Sequence, residues 1–342
     1  LGCGGADADS EALSGLLAGY VTHPNVAGAT VLSLGCQKAQ IEMLREEVHR
    51  RDPGFAKPLY VFEQQKSQSE KAMLSQAIRA TIQGVAEVNE ACYRAKAPLS
   101  KLILGGECGG SDGFSGLSAN PVIGAVSDQL VALGGRVILS EFPELFGVEQ
   151  ALMDRCVTPA LSRKFYELMK AYQAAAERTG SSMHHNPSPG NIADGLTTDA
   201  IKSAGAALKG GTSPVRDVLD YPGWVEEDGL SLLCTPGNDV ESTTAMAGAH
   251  ANLIVFSTGL GTPTGNPLCP VIKISSNSSL AQRLPDVIDF DTGGVIGGEA
   301  TIAELSDDLI ELMVRTASGA YQTCAQRLDQ DDFIPWKRGM SL

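Results

Sequence analysis

Helical and extended hydrophobic patterns alternate along the first part of the chain. Apolar residues recur at helical spacing over residues 9–20, and a β-branched apolar run follows over 26–34. A helix over 39–50, a short strand over 59–62 and a long helix over 67–93 continue the alternation. Strands that alternate with helices in this way predict a parallel sheet with helices on its faces.

The same pattern restarts after a short polar connection. It contains a strand over 101–104, a glycine-rich loop, a helix over 121–133 and a strand over 137–140. We therefore predict an α/β protein with two Rossmann-like domains, each with a mostly parallel sheet flanked by helices. The predicted boundary gives one domain over residues 1–95 and a second over 96–342.

The second predicted domain carries its loops after short buried strands. Strands are predicted over 230–233 and 252–256, and helices over 160–179 and 302–328. A polar, turn-rich loop covers 181–195, and loops of this length in compact domains are usually functional. Ligands of open α/β sheets bind beyond the carboxyl ends of the strands, so we expect the chemistry in the loops that follow strands.

Composition and charge exclude several classes of protein. The formal net charge is −14 and the charged residues are spread along the chain, which argues against a nucleic-acid partner. No run approaches the roughly 20 apolar residues of a membrane span, and the first residues do not resemble a secretory signal. Eight cysteines without short paired spacings suit a reducing compartment, so we predict a cytoplasmic protein.

Four predicted loops share one arrangement, in which an apolar strand ends and small residues with one or two reactive side chains follow. Glycine runs let backbone N–H groups approach a bound anion, and Asn120-Pro121 is predicted to supply an N-cap and a first-turn proline. The G-x-G-x-x-G and G-x-x-x-x-G-K-[ST] motifs are missing, so no nucleotide site is expected. The reactive positions in the four loops are Cys36, Glu107, Cys108, Ser111, Asp112, Glu141, Cys234 and Asp239.

Several candidate positions keep more than one interpretation. A cysteine in a loop is either a metal-binding thiolate or a small buried residue, and no C-x-x-C spacing decides between them. His23 lies between a helix and a strand, where it could act as a general base, a metal ligand or a capping donor. Lys273 interrupts an apolar strand, which suits either a contact with a substrate carboxylate or an edge strand protected from aggregation.

Longer segments resemble one known family. They are Tyr20-Val-Thr-His-Pro-Asn, Leu34-Gly-Cys-Gln, Gly106-Glu-Cys-Gly-Gly-Ser-Asp, Asn186-Pro-Ser-Pro-Gly-Asn and Lys273-Ile-Ser-Ser-Asn-Ser. Together they resemble the altronate and galactarate dehydratase family, and the Glu-Cys-Gly-Gly-Ser-Asp block is the most specific of them. The likeness runs from the first residues to the closing Trp336-Lys-Arg-Gly tail.

The resemblance implies a metal-dependent lyase that removes water from a sugar acid and forms a 2-keto-3-deoxy acid. It implies Fe²⁺, as a single ion or an iron–sulfur cluster, with Mn²⁺ as another option. The metal ligands implied are Cys36 and Cys108, with Cys3 as a third candidate. The implied roles of the remaining residues are proton transfer for His23, Glu107 and Glu141, and substrate binding for Ser111, Asp112, Asn120 and Lys273.

The resemblance also implies partners and leaves alternatives. Members of the family carry a small N-terminal domain that this sequence lacks, so we expect a partner domain or subunit as well as homo-oligomers. The large subunit of a related lyase, such as sulfolactate sulfo-lyase, is an alternative identity. A noncatalytic fragment that only binds substrate is another.

Overall fold

The computed structural model describes Gly2 and residues 4–339 of the chain. The first part forms a small two-stranded parallel sheet with helices packed on it. Its elements are α1 (Asp7–Thr22), β1 (Ala29–Ser33), α2 (Ile41–Arg51), β2 (Leu59–Glu63) and α3 (Glu70–Ala91). The sequence predicted all five, with ends that differ by a few residues. The sheet of the first predicted domain nevertheless has only two strands in the described part of the chain.

The rest of the described chain builds one larger sheet. Its first elements are β3 (Ile103–Cys108), α4 (Ala119–Ala132), β4 (Arg136–Leu139), α5 (Glu149–Met153), α6 (Pro159–Arg178), α7 (Pro189–Ala193) and α8 (Asp199–Ala207). They are followed by β5 (Val215–Leu219), β6 (Gly229–Leu233), α9 (Asp239–Gly248), β7 (Leu253–Thr258) and β8 (Val271–Ser275). The last are α10 (Ser278–Arg283), β9 (Phe290–Asp291), α11 (Gly294–Gly297), α12 (Ile302–Ala317) and α13 (Cys324–Arg327).

All pairings in the seven-stranded sheet are parallel, in the order β5-β6-β4-β3-β7-β8-β9. The α/β class, with a parallel sheet flanked by helices, is therefore confirmed. Because β3 lies at the centre, both of its faces are covered: α4, α6 and α12 bury one, and α1 and α9 bury the other. Leu16 of α1 belongs to the second of these two cores and packs against Gly248 of α9, so the first helix joins the core on this side of the large sheet.

Three local predictions were wrong. The helix predicted over 302–328 is interrupted at residues 318–323, between α12 and α13. The strand predicted over 101–104 instead spans Ile103–Cys108, so it includes Gly105 and Gly106. A Cβ at Gly105 would lie 2.7 Å from the sulfur of Met246, so close helix packing explains that glycine. Asn120 is not an N-cap: α4 begins one residue earlier, and the Asn120 side chain bonds to residues of other elements.

Among the described residues, no helix combines the length and the apolar character that crossing a bilayer requires.

Candidate active site at the end of strand β3

Strand β3 ends in two adjacent reactive residues that lie on opposite faces of the sheet. Successive side chains of a strand alternate between faces, so Glu107 points towards α9 and Cys108 towards α4. The register places Glu107 opposite Phe256 and Cys108 opposite Ser257 of β7. Both reactive side chains are buried. One strand end thus supplies a residue to each of two neighbouring polar clusters.

The first cluster joins one thiol and two carboxylates. The Cys108 thiol donates to Glu144 Oε2 at 2.9 Å, and the Cys108 backbone N–H donates to Glu141 Oε2 at 3.1 Å. One ligand atom from each of the three residues lies within 4.8 Å of the others, and all three residues are buried. We call Cys108, Glu141 and Glu144 the acid–thiol group.

Glu141 reaches this group through an unusual backbone conformation. It is the second residue after β4 and has φ 63°, in the left-handed region that residues with a Cβ rarely adopt. Its N–H donates to Thr235 Oγ1 at 2.8 Å, which holds the turn in place. The short 3₁₀ helix Phe142–Leu145 begins there and carries Glu144 back towards Cys108. Strained backbone of this kind is concentrated at functional sites.

Two lysines supply positive charge to the acid–thiol group. Lys209 Nζ lies 2.7 Å from Cys108 Sγ and 2.6 Å from Glu141 Oε2, and its side chain is 1 % exposed. Lys202 Nζ lies 2.9 Å from Glu144 Oε1 and also donates to Asn186 Oδ1 at 2.7 Å. Lys202 therefore links the group to the turn-rich loop that the sequence marked as functional.

Burial and crowding shift the acidities of the acid–thiol group. Burial raises the pKa of the Cys108 thiol well above its ordinary value, and the carboxylates of Glu141 and Glu144 raise it further. Burial, with the charge of Glu144, raises the pKa of Glu141 to about 7. Burial opposes ionisation of Glu144 too, but the ammonium groups of Lys202 and Lys209 outweigh it and lower its pKa. The group therefore favours one ionised carboxylate over three simultaneous anions.

The second cluster lies on the α9 face and contains two buried polar atoms without partners. Ser242 donates to Glu107 Oε2 at 2.6 Å, but Glu107 Oε1 has no hydrogen-bond partner among the described residues. The same is true of Lys273 Nζ, which lies 3.3 Å from the centre of the Phe256 ring. The strand register aligns Glu107, Phe256 and Lys273 in one row across three strands.

The acidities of the second cluster are shifted as well. Burial lowers the pKa of Lys273 to about 7, although Asp239 and Glu107 attract its positive charge. Burial, aided by the charge of Glu144, raises the pKa of Asp239 to about 6. Burial and the facing carboxylate of Glu141 raise the pKa of Glu107 well above its ordinary value. Groups with such shifts in one place are candidates for acid–base chemistry.

A cavity of about 410 Å³ opens beside Cys108. That volume is within the roughly 300–1,000 Å³ usual for small-molecule sites. Its polar lining contains a thiol, two hydroxyls, an amide and an ammonium group. They belong to Cys108, Ser111, Ser115, Asn120 and Lys202.

Comparison with known proteins identifies the family. Residues 99–341 match the family described as D-galactarate/Altronate dehydratase, C-terminal. Residues 1–89 match the second domain of D-galactarate dehydratase/Altronate hydrolase. The chain belongs to the D-galactarate/altronate dehydratase family. The resemblance carried by the sequence motifs is thereby confirmed.

Individual dehydratase-family relatives cover nearly all of the chain. The altronate dehydratase of Escherichia coli (strain K12) is 38 % identical over 327 residues, which make up 96 % of the chain and 64 % of that protein. The altronate dehydratase of Bacillus subtilis (strain 168) is 35 % identical over 344 residues, 100 % of the chain and 67 % of that protein. The (2R)-sulfolactate sulfo-lyase subunit beta of Chromohalobacter salexigens is 30 % identical over 337 residues, 96 % of the chain and 83 % of the subunit. The chain thus spans only about two thirds of the two altronate dehydratases.

The family's Glu-Cys-Gly-Gly-Ser-Asp block contributes both reactive and structural residues. Glu107 and Cys108 join the two clusters, and Ser111 lines the cavity. Asp112 instead accepts hydrogen bonds from Ser115, Ser276 and Asn277, which tie two loops together. Its carboxylate is fully engaged by the protein in this structure.

Asn120, a second residue expected to bind substrate, is similarly engaged. It lines the cavity, but its amide donates to the carbonyl of Gly205 at 3.0 Å and accepts from Ser257 at 2.6 Å. Its side chain joins α4, α8 and β7 beneath the cavity floor. Lys273, in contrast, has no hydrogen-bond partner among the described residues, and its ammonium group lies against the Phe256 ring.

His23 lies at the opposite edge of the sheet from Cys108. Its Nε2 donates to the carbonyl of Ala251 at 2.7 Å, just before β7, while Nδ1 accepts from the N–H of Asn25 at 2.9 Å. The start and end of β3 are five residues apart, roughly 16 Å along a strand. Burial lowers the pKa of His23 to about 4. The structure does not bring His23 together with Glu107 or Glu141.

The cysteines expected to bind metal do not converge either. Cys36 is exposed in the loop after β1 and is not a member of the acid–thiol group found among the described residues. Cys3 lies outside the described residues. Sequence reasoning missed Lys202 and Lys209. Only Lys209 left a signal in the sequence. It is the single charged residue in the run Ala206-Ala-Leu-Lys-Gly-Gly, whose small and apolar residues are unusual around a solvated lysine.

Proposed function

We propose that this chain is the catalytic part of a hydro-lyase that dehydrates a sugar acid to a 2-keto-3-deoxy acid. The observation that carries the proposal is the acid–thiol group, buried beside a cavity of suitable size in a member of this family. Such a reaction removes a proton next to a carboxylate and expels the neighbouring hydroxyl. It needs positive charge beside the substrate carboxylate and paired proton carriers.

The acid–thiol group fits a divalent first-row metal ion. One sulfur and two carboxylate oxygens within 4.8 Å provide both soft and hard donors, which suits Fe²⁺ or Mn²⁺. A metal bound there would stabilise the negative charge that develops on the substrate carboxylate. A single cysteine in the group supports a single ion rather than an iron–sulfur cluster, since clusters are held mainly by several thiolates.

Lys202 and Ser111 are our candidates for holding the substrate in the cavity. The Lys202 ammonium is mostly buried, and it faces the same space as the Ser111 hydroxyl. An ammonium in this position can pair with a carboxylate, while a hydroxyl can bond to the hydroxyls of a sugar acid. Lys273 is our candidate for a further carboxylate or hydroxyl contact, because a buried ammonium without a partner is costly unless a ligand completes it.

Glu107 and Glu141 are our candidates for moving protons. Burial raises the pKa of Glu107 well above its ordinary value, which favours the protonated form of this carboxyl. The carboxyl of Glu141 faces it, and in the metal-free protein its pKa of about 7 lets it exchange a proton with Glu107 near neutrality. With a metal on Glu141, Glu107 is the candidate to deliver a proton to a departing hydroxyl. We assign His23 a structural role, since both ring nitrogens are engaged.

The proposal is tested by offering anaerobically purified protein, supplied with Fe²⁺ or Mn²⁺, a panel of aldonates and aldarates. We expect a 2-keto acid from at least one of them, and loss of that product in Glu141→Gln. The exposed Glu87→Gln variant serves as the matched control. Wild-type turnover by Glu141→Gln would contradict the proposed site.

A sulfo-lyase is the second candidate, because the chain covers 83 % of the sulfo-lyase subunit but only 64 % of the E. coli altronate dehydratase. The same panel therefore includes (2R)-sulfolactate, with sulfite as the measured product. We also propose that full turnover requires a further small domain or subunit. Adding the N-terminal portion of a longer relative in trans tests this, and unchanged turnover would contradict it.

A further inference from the structure

We propose that Lys209 is a built-in counter-cation of the acid–thiol group, which a divalent metal ion must displace when it binds. This inference rests on the proposed metal site. It adds that the chain carries its own competitor for that site. Metal binding is then an exchange of one cation for another, with a weaker affinity than the three ligands alone would give.

The distances place the ammonium group where a metal would compete with it. Lys209 Nζ lies 2.7 Å from Cys108 Sγ and 2.6 Å from Glu141 Oε2, two of the three ligand atoms. Metal–sulfur and metal–oxygen bonds are about 2.3 Å and 2.0–2.2 Å long, so a bound ion needs the same two atoms. An ammonium and a dication that share two ligand atoms in a buried site repel each other strongly.

The surroundings explain why the chain needs such a cation. A thiol and two carboxylates crowded in a buried site would be costly without positive charge. Lys202 contacts only Glu144 in the group, and from the more exposed side. Lys209 is therefore the cation that serves Cys108 and Glu141.

The backbone of Lys209 is fixed, so only its side chain is free to move. Ser127 Oγ donates to the carbonyl of Lys209 at 2.8 Å. The preceding carbonyl, of Leu208, packs so closely on α4 that a Cβ at Gly124 would lie 2.1 Å from its oxygen. The cavity beside Cys108 is lined by Leu208 as well and offers space for a displaced side chain.

The test compares Co²⁺ and Mn²⁺ affinities of wild type and Lys209→Met by calorimetry, without substrate. We expect Lys209→Met to bind metal at least tenfold more tightly, and to have a lower melting temperature than wild type when metal is withheld. The exposed Lys101→Met is the matched control, with a change of less than threefold. Equal or weaker metal binding by folded Lys209→Met would overturn the inference.

Wild-type protein provides a second measurement if the variant does not fold. Mass spectrometry after limited lysine acetylation should show little modification of Lys209 without metal and several-fold more with Mn²⁺. Protection that is unchanged by metal would overturn the inference. The proposed metal site is judged separately, by a thiolate-to-cobalt absorption band in wild type that is lost in Cys108→Ser. If that band is missing from wild type, the metal site and the exchange both fail.

Discussion

The two ends of the parallel strands in the large sheet bury polar groups in opposite ways. We call the side where the strands begin the amino edge and the side where they end the carboxyl edge. At the amino edge, His23 uses both ring nitrogens, and Thr22 bonds to His250 at 2.8 Å. At the carboxyl edge, Glu107 Oε1 and Lys273 Nζ are buried without a hydrogen-bond partner in the part of the chain that the structure describes, and three acidic groups crowd together. Buried polar groups are normally satisfied. We therefore expect His23 to have a structural role, and we expect a ligand to complete the unpaired groups at the carboxyl edge.

The largest effect is expected from Cys108→Ser at the carboxyl edge. Loss of the thiol should abolish Fe²⁺ binding and reduce kcat/KM by about 10²–10³ or more, the scale for losing one preorganised electrostatic group. Metal analysis and 2-keto acid assays check this. Cys156→Ser, at an isolated bridge to Val215 and outside the acid–thiol group, is the control, and Cys36→Ser should keep its metal. Bound iron in Cys108→Ser at the wild-type level would contradict the assignment.

His23→Ala probes the amino edge, where the effect should fall on stability. We expect the free energy of unfolding to decrease by about 2–4 kcal/mol, since two buried hydrogen bonds are lost and a cavity is left. Urea denaturation measures the loss, and kcat at a temperature where the variant stays folded should change less than threefold. The exposed His49→Ala is the control. A variant that is stable but inactive would restore His23 to the active site.

Lys273→Met should raise stability and lower activity, whereas His23→Ala should lower stability and leave activity nearly unchanged. Replacing a buried amine that lacks a partner with an apolar side chain of similar size should raise the free energy of unfolding by about 1–2 kcal/mol. Activity should fall, because the proposed ligand contact is lost. Thermal melts and turnover assays measure the two effects, with the exposed Lys101→Met as control. A destabilised Lys273→Met would show that the ammonium is already satisfied within the protein.

The smallest expected effect is on the pH dependence of stability, and it arises from two histidines at the amino edge. Burial lowers the pKa of His23 to about 4 and, with the charge of Arg51, that of His250 to about 3. Unfolded histidine titrates near pH 6.5, so the unfolded chain binds these protons first. The contribution of these two histidines to the free energy of unfolding is therefore complete above pH 6.5 and is lost as the pH falls towards 4. His250→Gln should reduce the slope of stability against pH by about 1 kcal/mol per unit. Urea denaturation between pH 6.5 and 4.5 measures it, and an unchanged slope would contradict the assignment.

Much of the fold could be predicted from the sequence, because helices and strands of this chain have clear periodicity. The alternation of strands and helices predicted the parallel sheet, and the strand ends led to Glu107, Cys108 and Glu141. The sequence could not show which residues meet in space. Glu144 and Lys209 reach Cys108 only through a strained turn and a helix end. The sequence alone does not distinguish a histidine whose two ring nitrogens are both hydrogen-bonded within the protein, such as His23, from a catalytic histidine.

Position 141 carries a consequence for engineering. A glycine or asparagine there would accept the left-handed backbone of φ 63° more readily than glutamate does. A screen that rewards heat resistance alone would therefore favour replacing this residue and select against the dehydratase chemistry proposed for it. Thermostable variants of this chain should be sought with residue 141 held constant, and selection for turnover should retain glutamate there.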